Sequence, residues 1–222
     1  MEKRNEINYK RFIAFILIAL PLCTFGHTIN YELEKAPVND VVWYYFKFGI
    51  SHIIPYGIDH IFFVASLCLL STKFTTILWQ ATAFTFAHTI TLALSMQGII
   101  KLPAEVVEPL IALSIMFVAI ENILVSTLKA WRVAIVFMFG LVHGMGFASA
   151  LNEIGLPRNQ FFTSIFSFNA GVEIGQIIVI SLVFLLIIIP LGKMPWYQRR
   201  VVYPLSAVIA LIAAFWTIQR II

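Results

Sequence analysis

Six stretches of this chain are apolar for at least the ~20 residues that an α-helix needs to cross a hydrocarbon core. They lie near residues 42–70, 74–98, 106–127, 131–151, 162–190 and 200–220. Runs of this length leave no polar face for water, so they exclude a soluble architecture. Composition agrees: 60% of the residues are hydrophobic and 12% charged, against about 25% charged in a soluble domain. The sequence therefore predicts an all-α, polytopic membrane helix bundle, with six transmembrane helices forming one domain over 42–222. The first run exceeds a simple span. Pro55 and Gly57 split it, which marks Trp43 to His52 as an interfacial or kinked piece before the span proper.

Ahead of the bundle, Lys3, Arg4, Lys10 and Arg11 precede an apolar core from Phe12 to Leu22, and Thr24 and Gly26 follow. A basic start, a short apolar core and small residues describe a secretory signal peptide over 1–26, cut after Gly26. An uncleaved signal anchor is the equal alternative. Residues 27–41, with Glu32, Glu34 and Asp40, form an external linker. Lys73, Lys129, Arg132, Lys193, Arg199 and Arg200 fall on one side of the bundle, and Glu105, Glu108 and Glu153 on the other. Basic loops mark the cytoplasmic side. This predicts a bacterial inner-membrane protein whose mature N-terminus lies outside the cytoplasm. The basic residues lie between apolar runs, so they are topology signals and not a nucleic-acid footprint. The two cysteines, Cys23 and Cys68, form no C-x-x-C and no disulfide framework.

The spans carry ionisable groups that hydrocarbon does not tolerate without a partner, a cavity or an ion. Asp59 and His60 sit in the first, following His52. The second has Thr85, His88 and Thr91 at helical spacing, a polar stripe centred on an imidazole. Ser114 and Glu121 share a face of the third. His143 stands among glycines in the fourth, where neighbouring backbones approach closely. Asn169, Glu173 and Gln176 line one face of the fifth. The sixth span has almost no polar residue and is expected only to pack.

At 1.5 Å per residue, Asp59 and His60 lie about 10 Å below the outer end of their span, and His88, His143 and Glu173 about 13–17 Å. Glu121 is deeper, at about 22 Å. Three imidazoles and two carboxylates in one outer-half layer suit Ni²⁺, Zn²⁺, Co²⁺ or Cu²⁺ better than the oxygen-seeking Mg²⁺ or Ca²⁺. Asp59, His60, His88, His143 and Glu173 are the expected metal ligands. His52, Glu121, Asn169, Gln176, Thr85 and Thr91 are expected along the pathway or behind the ligands. His27, if freed by cleavage, would capture metal at the external mouth. The structural alternative for each group is an interhelical hydrogen bond.

These residues also resemble a known family. Gly57-Ile58-Asp59-His60-Ile61-Phe62-Phe63, Phe84-Thr85-Phe86-Ala87-His88-Thr89, Gly140-Leu141-Val142-His143-Gly144-Met145-Gly146 and Phe168-Asn169-Ala170-Gly171-Val172-Glu173 are similar, in order, to motifs of the HupE/UreJ family. Those are hydrogenase- and urease-accessory membrane proteins regarded as nickel permeases. The resemblance implies a signal peptide, six spans, a His/Asp site in the first and fourth spans, and a metalloenzyme maturation system as partner. The nickel-transporting branch has an acidic residue three positions after the fourth-span histidine, where this chain has Gly146. The chain is closer to the second, less characterised branch, and Glu173 is the carboxylate able to replace the missing one from the next helix.

Three functions follow. The first is a permease or binding protein for a divalent transition metal, nickel foremost. No G-x-x-x-x-G-K-[ST] is present to power it. The second is an intramembrane zinc-dependent hydrolase acting on a lipid or lipoprotein, with Glu173 or Glu121 as general base. The third is a non-catalytic membrane assembly factor.

Overall fold

A computed structural model describes residues 31–222, in which every regular element is helical. His27 and the signal segment lie outside the described residues. After a single helical turn, Tyr31–Glu34, come α1 (Val38–Ile53), α2 (Ile58–Leu69), α3 (Phe74–Met96), α4 (Ala104–Leu124), α5 (Arg132–Ile154), α6 (Phe161–Val183) and α7 (Tyr203–Ile221).

Helix ends follow local chemistry. Pro37 and Pro103 stand immediately before α1 and α4, where a missing N–H is harmless. Gly155, at φ +80°, ends α5 in a conformation that side chains avoid. Two turns of π-helix, Phe184–Ile188 and Gln198–Val202, precede Pro190 and Pro204. Each proline lacks an N–H and crowds the carbonyl four residues back, and the wider turn relieves both problems.

α3, α4, α5, the continuous run Arg158–Leu191 and Gln198–Ile221 are each long and apolar enough to cross a membrane. α1 and α2 make a sixth crossing only as a pair, bent by 68°. The break sits at the expected place. Ile54 is extended, as a residue before proline prefers, and a methyl group on Gly57 would strike the His52 carbonyl oxygen. The run Arg158–Leu191 has 34 residues, about 51 Å of helix, well beyond the ~30 Å of a hydrocarbon core. Its first turns are tied to the segment ahead of α1: the Arg158 amide donates to Glu34 and the Gln160 side chain to the Ala36 carbonyl.

The bundle is three tight helix pairs, α1 with α6, α3 with α5, and α4 with α7, gathered round α2. Glycines set the first two. A Cβ on Gly49 would meet the Phe168 carbonyl, and one on Gly171 the Phe46 carbonyl. Gly140 and Gly144 seat α5 on the backbone of Phe84 and His88 in the same way. Lipid tails offer no hydrophobic drive between helices, so close backbone packing of this kind holds a membrane bundle together. Phe86, Phe166, Leu185, Leu186, Leu211 and Phe215 are all more than 60% exposed, which makes the outer surface the lipid-facing one.

Candidate metal centre

Four histidines from four helices meet inside the bundle. His52 ends α1, His60 begins α2, and His88 and His143 lie midway along α3 and α5. One ring nitrogen of each of His52, His60 and His88 lies within 4.8 Å of the others. The His143 ring centre is 5.1 Å from that of His60. His60, His88 and His143 are buried and His52 is nearly so. Two nitrogens on one tetrahedral ion stand about 3.3 Å apart at metal–nitrogen distances of 2.0–2.1 Å. Side-chain rotations of about an ångström therefore bring the trio onto one ion.

Hydrogen bonds decide which nitrogens face inward. Asn169 donates its Nδ2 to the Ile165 carbonyl, which turns its Oδ1 toward His88 Nδ1 at 3.0 Å. An oxygen acceptor there requires a proton on Nδ1 and leaves Nε2 as a lone pair. Ser114 gives its own proton to the Ile111 carbonyl and meets His143 Nε2 at 3.0 Å. The serine oxygen must accept there, so the His143 lone pair is on Nδ1. Both free positions, His88 Nε2 and His143 Nδ1, are buried without a hydrogen-bond partner, as are His52 Nε2 and His60 Nε2. Four orphaned imidazole nitrogens in one interior cost several kcal/mol unless something binds them. Partners that fix the tautomer from behind are what a metal-ligating histidine needs.

Aromatic rings close the walls. Phe147 lies against His52 with ring centres 3.9 Å apart and stacks on Phe168. Phe84 packs on His143 at 4.9 Å. On one side a cavity of about 450 Å³ reaches His52, His60 and His143. Its lining includes Asp59, Glu108 and Arg220. Arg220 holds Asp59 at 2.8 Å and Glu108 at 3.5 Å.

The chain matches the family model described as HupE / UreJ protein over residues 28–220. It belongs to the HupE/UreJ family. Among curated proteins and among solved structures, no match is found. The clustering of His52, His60, His88 and His143 is read from this chain's own geometry.

Other expected site residues go elsewhere. Glu173 does not join the histidines. It accepts a 2.6 Å hydrogen bond from Thr82 and lines a separate groove between α3 and α6. The reason is axial: one helical step of four residues is about 6 Å, so Glu173 sits a full turn past Asn169, which does reach His88. Asp59 faces Arg220. Gln176 receives Thr85, and Thr91 bonds back to the Ala87 carbonyl of its own helix. Glu121 pairs at 3.4 Å with Arg132, which is 1% exposed. Arg132 is therefore a buried structural cation and not a surface topology marker. The sixth span does more than pack, because it delivers Arg220. The sequence signal for that role is an arginine in the last turn of an apolar helix, four residues after Trp216, over whose ring it lies.

Proposed function

We propose that this HupE/UreJ protein binds a divalent transition metal at His52, His60, His88 and His143 and conducts it across the membrane, with nickel as the leading substrate. The observation that carries this reading is the set of four orphaned ring nitrogens inside a bilayer-spanning bundle. A nitrogen-only inner set favours Ni²⁺, Zn²⁺, Co²⁺ or Cu²⁺ over Mg²⁺ and Ca²⁺. The exposed Lys73, Lys129, Lys193, Arg199 and Arg200 support an orientation in the bacterial inner membrane with that end in the cytoplasm. The histidine cavity then opens outward. A cargo delivered inward suits a metalloenzyme maturation system as recipient.

The cavity that reaches the histidines favours one second reading, a zinc hydrolase. Neither Glu121 nor Glu173 lines that cavity, so the general base expected for it lacks its geometry; Asp59 and Glu108 are the carboxylates that do. Metal content and flux separate the readings. Purified protein is expected to hold Ni²⁺, and His60→Ala and His143→Ala to lose it. Proteoliposomes are expected to take up Ni²⁺ in the wild type alone. Unchanged metal content in both variants would sink the site. Tightly held Zn²⁺ without flux would favour the hydrolase.

A further inference from the structure

Arg220 lines the cavity beside the histidines and pairs there with both of its carboxylates, Asp59 and Glu108. Its Nη2 is 2.8 Å from Asp59 Oδ2. Its Nη1 is 3.5 Å from Glu108 Oε2 and also donates to the Glu108 carbonyl oxygen at 3.2 Å. The guanidinium lies 5.7 Å from the Trp216 ring centre. Asp59 directly precedes His60, and all of these groups line the cavity that also borders His60 and His143, whose Nε2 and Nδ1 respectively are orphaned. The three charged side chains are only partly exposed, 22%, 23% and 42%. A fixed positive charge in such a cavity repels an incoming divalent ion more strongly than it would in open water. While Arg220 holds both carboxylates, neither is available to that ion.

We propose that Arg220 is a tethered competitor cation: it neutralises Asp59 and Glu108 when the histidine centre is empty, and a divalent metal must displace it to load. Displacement leaves two carboxylates facing the ion. Return of the guanidinium then favours release, so that bound metal does not become trapped. Arg220 sets affinity and turnover in opposite directions without being a ligand. This inference rests on the reading of the histidines as a metal centre.

The test is Ni²⁺ titration of the purified full-length protein by calorimetry, together with Ni²⁺ uptake by proteoliposomes, for the wild type, Arg220→Gln and Arg220→Lys. Arg220→Gln is expected to bind Ni²⁺ on the order of tenfold tighter or more, from loss of a nearby positive charge, and to take it up more slowly. Arg220→Lys keeps the charge and is expected to stay near wild-type affinity. A merely structural arginine would lower affinity and uptake together in both variants, and that pattern overturns the proposal. So does an unchanged affinity in a folded Arg220→Gln protein. If the wild type itself binds no Ni²⁺, Zn²⁺, Co²⁺ or Cu²⁺, the metal reading fails first, and the result is distinguishable from failure of Arg220 alone.

Discussion

Ser114 and Asn169 perform the same task at two different histidines. Each spends its own proton on a backbone carbonyl one turn earlier and offers an oxygen to an imidazole N–H. Neither side chain touches the space between the rings. Their effect is to hold one tautomer and one ring orientation, and such partners are typically worth about 10–100-fold in metal affinity. Ser114→Ala and Asn169→Ala are therefore expected to weaken Ni²⁺ binding by about that factor while the protein stays folded. Calorimetry with a parallel thermal melt checks both halves of the statement. An affinity equal to wild type in either variant would remove that residue from the site. The sequence placed Asn169 on a polar face but gave it no partner. Ser114 was visible only as a hydroxyl on the same helix face as Glu121. A tautomer-fixing role depends on a contact between helices 29 or 81 residues apart, and no local spacing encodes it.

Two contacts between elements order the polar interior of the bundle. One is the parallel contact of α3 and α5, closed by Gly140 and Gly144. A larger residue at Gly144 collides with the His88 carbonyl and with Thr91. Gly144→Leu should thus displace the histidine layer and destabilise the fold by at least the ~1–3 kcal/mol of an overpacked core. A lowered melting temperature together with lost metal binding checks it. The other is the knot that joins α2, α4 and α5. Asn122 donates to the Ser66 carbonyl and accepts from both terminal nitrogens of Arg132, which also faces Glu121. Removing one partner of a buried pair leaves an uncompensated charge and typically costs about 3–5 kcal/mol. Arg132→Met alone should be that damaging, and Arg132→Met with Glu121→Leu should recover most of the loss. Unfolding in detergent for the two single variants and the double variant tests this. A double variant as unstable as Arg132→Met would show that the arginine acts through packing and not through charge.

At the scale of the whole molecule, α2 links the two contacts: His60 lies near its start beside the other histidines and Ser66 lies beside the Asn122–Arg132 knot. With the basic loops in the cytoplasm, α7 must finish outside, on the side where Arg220 lines the cavity. A C-terminal alkaline phosphatase fusion is expected to be active and a fluorescent-protein fusion dark, and the reverse result would invert the direction of access to the centre. Much of this organisation is legible in the chain itself. Apolar runs, basic loops and the Pro55–Gly57 interruption determine an all-helical membrane bundle whose first apolar run is bent, because hydrocarbon forces every backbone group to bond within its own helix. The level of His60, His88 and His143 along their own helices follows from a constant rise per residue. Rotation about the helix axis and pairing between helices do not. They are settled by glycine contacts such as Gly49 on Phe168 and Gly144 on His88, which form only once the bundle has assembled. Tertiary structure alone therefore brought His52 in beside His60, turned Glu173 to Thr82, buried Arg132 with Glu121, and set Arg220 against Asp59 across 161 residues of chain.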